Sequence, residues 1–206
     1  MSNETPLTES ILSRSSLAGL DKDQSKIHIS ESGLTPIQNQ QTPAVLSSIE
    51  ISEAVLGHLW DLLIFAEHNT YLRLAGLAAN QLAKEDERVM LNACFINRGY
   101  DGWVVALNPS IEEEEGSSTN SREGCLTWPG KKILADRKEI VTVSYVTVSG
   151  EEKRERIEGF EAIVWQHEIN HLRGIPEHVI DPEKKAKPNE PCVCGSGKKF
   201  KKCCGR

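Results

Sequence analysis

Residues 160–172 read Phe-Glu-Ala-Ile-Val-Trp-Gln-His-Glu-Ile-Asn-His-Leu, and this stretch decides how the rest of the chain is read. Phe160, Ile163, Val164, His167, Ile169 and His171 follow one another without Gly or Pro, and Gly174 and then Pro176 supply a stop. The pattern predicts one long central helix. Within it, His167-Glu168-Ile169-Asn170-His171 is an H-E-x-x-H sequence. On a helix the i, i+4 spacing sets both imidazoles on one face, where they can share a metal ion. Glu168 lies one step round, within reach of a metal-bound water.

Two imidazoles need a third ligand. The metallopeptidase pattern H-E-x-x-H-x-x-G-x-x-H would place a histidine at its end, but this chain reads H-E-I-N-H-L-R-G-I-P-E-H. His178 falls one residue late, with Glu177 in its place, and the only methionines, Met1 and Met90, both precede the helix. Upstream, Glu123-Gly124-Cys125-Leu126-Thr127 offers a cysteine in a Gly-marked segment. A thiolate with two imidazoles leaves a fourth position open for water, which is the layout of a catalytic site.

Outward from the helix, Val55, Leu56, Leu59, Trp60, Leu62, Leu63 and Phe65 predict a second helix from Ile51 to about Tyr71. Strand-like runs lie at Val89–Ile96, Trp103–Leu107 and Ile140–Val148, the last alternating Val141, Val143, Tyr145. Glu112 to Glu115 followed by G-S-S-T-N-S reads as a charged, flexible loop. The expected fold class is α+β, with antiparallel strands packed around the central H-E-x-x-H helix and a small C-terminal zinc knuckle. Residues 1–48, rich in Ser, Thr, Gln and Asn, are expected to be polar and poorly structured, 49–180 to form the catalytic domain, 181–190 a linker and 191–206 the knuckle.

No apolar run approaches the roughly 20 residues of a bilayer span. The start, M-S-N-E-T-P-L-T-E-S, has neither a basic nor an apolar stretch, which fits a cytoplasmic protein. Cys94 and Cys125 stand alone, while Cys192, Cys194, Cys203 and Cys204 crowd together, a distribution that suggests metal rather than a disulfide framework. Residues 183–206 hold eight Lys/Arg against Glu183 and Glu190, so the total charge of −6 leaves −12 on the first 182 residues.

G-L-A-A-N-Q at 76–81, E-G-C-L-T at 123–127 and Q-H-E-I-N-H-L-R-G at 166–174, in this order, resemble the three signature motifs of the peptide deformylase family. The similarity spans roughly residues 55 to 180. It implies that Cys125, His167 and His171 ligate a catalytic divalent ion, iron(II) or a substitute such as zinc or nickel. The ion would activate a water for attack on the formyl carbon of an N-formylmethionyl peptide. Glu168 would shuttle the proton to the leaving amine, and the side-chain amide of Gln81 with the backbone N–H of Leu126 would face the oxyanion. Gly76, Gly124, Ile163 and Val164 would line the substrate's place, the last two facing the methionine side chain. Arg137 is expected to pair with Glu123 and brace the cysteine loop. The chain departs from the family pattern at Leu74, where the family has glycine, at Asn170 in place of an acid, and at Thr127 in place of serine.

The tail, P-C-V-C-G-S-G-K-K-F-K-K-C-C-G, is similar to the SEC-C zinc motif, with Cys192, Cys194, Cys203 and Cys204 as ligands of a structural zinc. Lys198, Lys199, Lys201 and Lys202 make it basic, and docking to the ribosome or to a protein partner is the expected role. Two other functions fit parts of the pattern: an H-E-x-x-H metallopeptidase using His167, His171 and Glu177 or His178, and a metal-binding adaptor without catalysis.

Overall fold

The computed structural model describes residues 34–45, 47–69, 73–84, 87–181, 187–192 and 197–203. Helix α1 runs Glu53–His68; Ser52 caps it by accepting from Val55 N–H at 3.3 Å, and at the other end Asn69 N–H and side chain both donate to Phe65 O. Its apolar residues bury as the spacing predicts. Leu56, Leu59, Leu62, Leu63 and Phe65 pack with Leu77, Leu82, Phe95 and Leu107 in one core cluster, each such side chain contributing about 1.5–3 kcal/mol by burial.

The strands are β1 (Leu34–Pro36), β2 (Gly76–Ala78), β3 (Leu82–Lys84), β4 (Glu87–Arg88), β5 (Ala93–Asn97), β6 (Trp103–Glu123), β7 (Lys132–Val146), β8 (Glu152–Glu158) and β9 (His178–Ile180). They form a small sheet, β1-β3-β4, and a larger one, β2-β5-β6-β7-β8, with β9 pairing the start of β7. Every pairing is antiparallel. Helix α2, Gly159–Leu172, is the predicted central helix. Its Ala162, Trp165, Ile169 and Leu172 pack with Ala78, Ile96, Val141 and Val143 in a second core cluster.

The N-terminal end of α2 is fixed to the sheet by polar bonds. Arg98, between β5 and β6, donates to Glu155 of β8 at 2.7 Å and to Glu161 of α2 at 2.8 Å. Tyr145 O–H donates to the same Glu155 at 2.6 Å, and its ring lies 5.3 Å from that of Trp165. At the other end Gly174, at φ +64°, turns the chain so closely past the backbone of Ala44 that a Cβ there would lie 2.5 Å from Ala44 N.

Three expectations change. The acidic run at 112–115 is not a loop: β6 continues through it to Glu123, in register with β7 from Glu113↔Thr142 to Glu123↔Ile133. The backbone ladder supports side chains that are solvated on both faces, and the acids meet arginines of β8, Glu113 with Arg154 at 2.7 Å and Glu115 with Arg156 at 3.5 Å. The described part of the segment expected to be loose up to residue 48 instead contributes β1 and a stretch bonded to the core, with Asn39 N–H donating to Thr127 O and Val45 N–H to Leu172 O, both at 2.7 Å. At the C-terminus, Cys192 packs with Leu134 of β7 and Ile180 of β9, joined by Phe200 and Cys203, so the described part of the tail rests on the sheet. Cys194 and Cys204 lie outside the described residues, as do residues 1–33.

Candidate active site and metal centre

The site is assembled from three segments. Helix α2 presents His167, Glu168 and His171 on one face; the turn after β6 presents Cys125; the turn after β2 presents Gln81. The two imidazoles come together at 3.1 Å between their Nε2 atoms, and Cys125 Sγ lies 3.3 Å from His171 Nε2. The chain continues past Gly174 to bring a fourth donor, Glu177 Oε1, 3.1 Å from His171 Nε2. All four ligand atoms lie within 4.8 Å of one another. His178, the alternative ligand of the metallopeptidase pattern, is exposed in β9 and outside this group.

The donor set fits a divalent ion. Each histidine has its other nitrogen engaged, His167 Nδ1 with Glu123 Oε2 at 2.6 Å and His171 Nδ1 with Thr42 Oγ1 at 3.2 Å, which turns both Nε2 atoms to the shared point. Burial, and then the neighbouring His167, hold His171 well below its ordinary pKa, so its Nε2 keeps a lone pair. Burial opposes charge on His167 as well, but its bonds to Cys125 and Glu123 outweigh this and move it upward.

Behind His167, Glu123 and Arg137 form the expected pair. Arg137 Nε donates to Oε1 at 2.8 Å and Nη2 to Oε2 at 2.7 Å, with both side chains under 10% exposed. Burial works against this carboxylate, but the bonds from Arg137 and His167 outweigh it and lower its pKa to about 2. Cysteine loop and histidine helix are therefore tied through one ion-paired carboxylate.

Glu168 is 4% exposed, and among the described residues its Oε2 has no hydrogen-bond partner. Burial raises its pKa to about 7, suited to a group that takes and returns a proton near neutrality. Gln81 is held in place by Ala78 N–H, which donates to Oε1 at 2.9 Å; its Nε2 reaches Thr127 Oγ1 at 3.2 Å, His171 Nε2 at 3.1 Å and Cys125 Sγ at 3.5 Å. Thr127, in place of the family's serine, thus keeps a hydroxyl on the amide.

A cavity of about 620 Å³ opens onto this group. Gly76, Gln81, Gly124, Leu126, Ile163, Val164 and Glu168 line it together with Cys125 and His167, so the residues expected to touch substrate share one space. Leu74 lines it too, and the positive φ of this turn falls on Arg73, at +48°, so position 74 does not require glycine.

Sequence reasoning missed three contributors. Thr42 had no pattern around it. Asn80, whose side chain donates to His171 O at 2.7 Å and Pro43 O at 2.9 Å, stood inside a quoted motif without an assigned role. Trp128, whose indole N–H donates to Glu177, became visible only once the turn after α2 was placed. Cys94 is fully buried in β5, where burial raises its thiol pKa, and it is remote from this chemistry.

A buried S, N, N donor group beside a carboxylate, on an H-E-x-x-H helix against an antiparallel sheet, defines a metallohydrolase of the deformylase type. Residues 38–187 match the family model for polypeptide deformylase and residues 189–206 that of the SEC-C motif; the chain belongs to the polypeptide deformylase family. Among curated relatives it is 37% identical over 100 residues to a peptide deformylase of Aquifex aeolicus, covering 48% of this chain and 59% of that protein. To one of Thermotoga neapolitana it is 39% identical, covering 54% and 63%. The matched stretch therefore spans about three-fifths of those relatives' length. Among solved structures, a peptide deformylase from Synechococcus elongatus in complex with actinonin superposes with a TM-score of 0.56 at 27% identity, covering 69% of this chain and 77% of that one. One from Legionella pneumophila gives 0.58 at 26%, covering 68% and 80%. Among the described residues no helix is long and apolar enough to cross a membrane.

Proposed function

We propose that this chain is a cytoplasmic peptide deformylase that removes the formyl group from N-formylmethionine at the start of nascent peptides. The observation that carries the reading is the convergence of Cys125 Sγ with the Nε2 atoms of His167 and His171 beside Glu168, at the wall of an enclosed apolar cavity.

Cys125, His167 and His171 would hold the divalent ion, iron(II) or zinc or nickel in its place, and a bound ion would supply Lewis acidity for activating water and polarising the formyl carbonyl. The remaining steps belong to side chains. The methionine side chain enters the cavity against Ile163 and Val164, between Gly76 and Gly124. Gln81 Nε2 and the Leu126 N–H stabilise charge on the formyl oxygen, a donor of this kind being worth about 3 kcal/mol. Glu168 accepts the proton from the attacking water and delivers it to the leaving amine, which a carboxylate poised at about 7 can do in both directions.

For the tail, the reading is a structural zinc held by Cys192, Cys194, Cys203 and Cys204. Its lysines dock the enzyme at the ribosome, where formylated chains emerge. Co-sedimentation with ribosomes that weakens as salt rises is the expected result; binding indifferent to salt contradicts electrostatic docking.

The test of the enzymatic reading is formate release from a formyl-Met peptide under anaerobic conditions, with the protein loaded in turn with iron(II), nickel and zinc. Formate with at least one ion is expected. No formate with any ion favours a metal-binding adaptor. Activity and metal binding that survive Cys125→Ala favour the metallopeptidase ligand set instead.

A further inference from the structure

Beyond the three expected ligands, Glu177 is built into the metal group. Its Oε1 lies 3.1 Å from His171 Nε2 and 3.8 Å from Cys125 Sγ, and its side chain is only 7% exposed. The carboxylate is aimed there by its surroundings: the Trp128 indole N–H donates to the other oxygen, and Glu177 N–H donates to Gln41 Oε1 at 3.2 Å. Gln41 in turn donates to Ile175 O at 2.9 Å, fixing the turn that carries Glu177.

Such a carboxylate needs a positive partner. Among the described residues no Lys or Arg forms an ion pair with it; its one ion-pair contact is His171, itself an expected ligand. A divalent ion at the shared point would satisfy it, since one thiolate and one carboxylate together carry two negative charges. Oxygen beside sulfur and nitrogen is within the donor range of zinc and iron(II). Glu177 does not line the 620 Å³ cavity, so its approach to the group leaves the substrate side clear.

We propose that Glu177 is a fourth protein ligand of the catalytic ion, so that the resting centre holds one thiolate, two imidazoles and one carboxylate. The proposal rests on the metal-centre reading above and deepens it. Two consequences follow: tighter retention of the ion than three ligands provide, and a centre whose net charge is zero. Trp128 and Gln41 act as positioning residues for the carboxylate.

The test is cadmium NMR on the full chain. The mixed-donor centre and an all-sulfur tail site give separate resonances, and the tail resonance serves as an internal reference. Replacing Glu177 by Gln keeps an acceptor for Trp128 and changes little in volume, and Glu177→Ala removes the ligand outright. Both variants should move the mixed-donor resonance, leave the tail resonance in place, and lower metal affinity, read by chelator competition, at least about tenfold. Trp128→Phe, which keeps the ligand but frees its carboxylate, should lower affinity less. An unmoved resonance and unchanged competition in a folded Glu177 variant overturn the proposal and leave the deformylase reading standing. Should neither Glu177 variant fold, an affinity in Trp128→Phe equal to that of the unmodified chain overturns it. A chain with no mixed-donor resonance at all overturns the metal-centre reading as well.

Discussion

Gly76 and Glu168 occupy one space: a Cβ added to Gly76 would lie 2.5 Å from Glu168 Oε1 and 2.7 Å from Val164 Cγ1. Strand β2 and helix α2 therefore approach as closely as they do because position 76 has no side chain, and that approach sets where the carboxylate stands. Gly76→Ala is expected to displace Glu168 while leaving Cys125, His167 and His171 in place. Overpacking of this kind costs about 1–3 kcal/mol. The expected outcome is a lower melting temperature and a strongly reduced kcat with normal metal content, measured by calorimetry, formate release and metal analysis on the same preparation.

Arg137 is the only ion-pair partner of Glu123 besides the ligand His167 among the described residues. Arg137→Ala leaves a buried carboxylate without its guanidinium, and losing one partner of such a pair costs about 3–5 kcal/mol. Because Glu123 also orients His167, metal affinity should fall about 10- to 100-fold. Denaturant unfolding and chelator competition check the two effects separately. A Lys at 137 keeps the charge but not the two-point geometry and should recover only part of each.

Asn80→Ala removes the amide that donates to both His171 O and Pro43 O. The loss leaves two carbonyls to find other donors, a cost of about 1–3 kcal/mol. Both the segment carrying Thr42 and the end of α2 should loosen, seen as faster amide exchange at residues 43–45 and 170–172.

Glu67, near the end of α1, has a carboxyl that burial raises from 4.5 to about 7. The folded chain keeps this proton while the unfolded chain releases it, so stability declines as pH rises through the window from 4.5 to 7. Glu67→Gln has no proton to lose. It should raise the melting temperature at pH 8 and leave it unchanged at pH 4, and a shift at pH 4 as large as that at pH 8 contradicts the assignment.

The parts of the molecule legible in the sequence are those encoded locally. The i, i+4 histidines fix their own face of α2, and the apolar spacing from Val55 to Phe65 fixes the buried side of α1, with no knowledge of the partner. Cys125 became legible through its motif, since nothing local says that a cysteine some forty residues upstream folds onto His171. The acidic stretch of β6 was misread because its stabilising partners are backbone groups of β7 and arginines of β8, about forty residues away. Thr42 and β1 were hidden for the same reason: a polar segment with no period of its own is ordered by Thr127, Leu172 and His171, all far along the chain. Glu177 showed in the sequence only as a candidate in a pattern that did not fit. The turn at Gly174 against Ala44 and the indole of Trp128 are what aim it at the metal group.

The most direct measurement is formate release from a formyl-Met peptide by the iron(II)-loaded chain and by its Glu168→Gln variant, matched for bound metal. The unmodified chain should release formate catalytically, and the variant should hold the same metal and fall to a small fraction of that rate. Equal rates in the two, or no formate from the metal-loaded unmodified chain, would contradict a deformylase centred on Cys125, His167, His171 and Glu168.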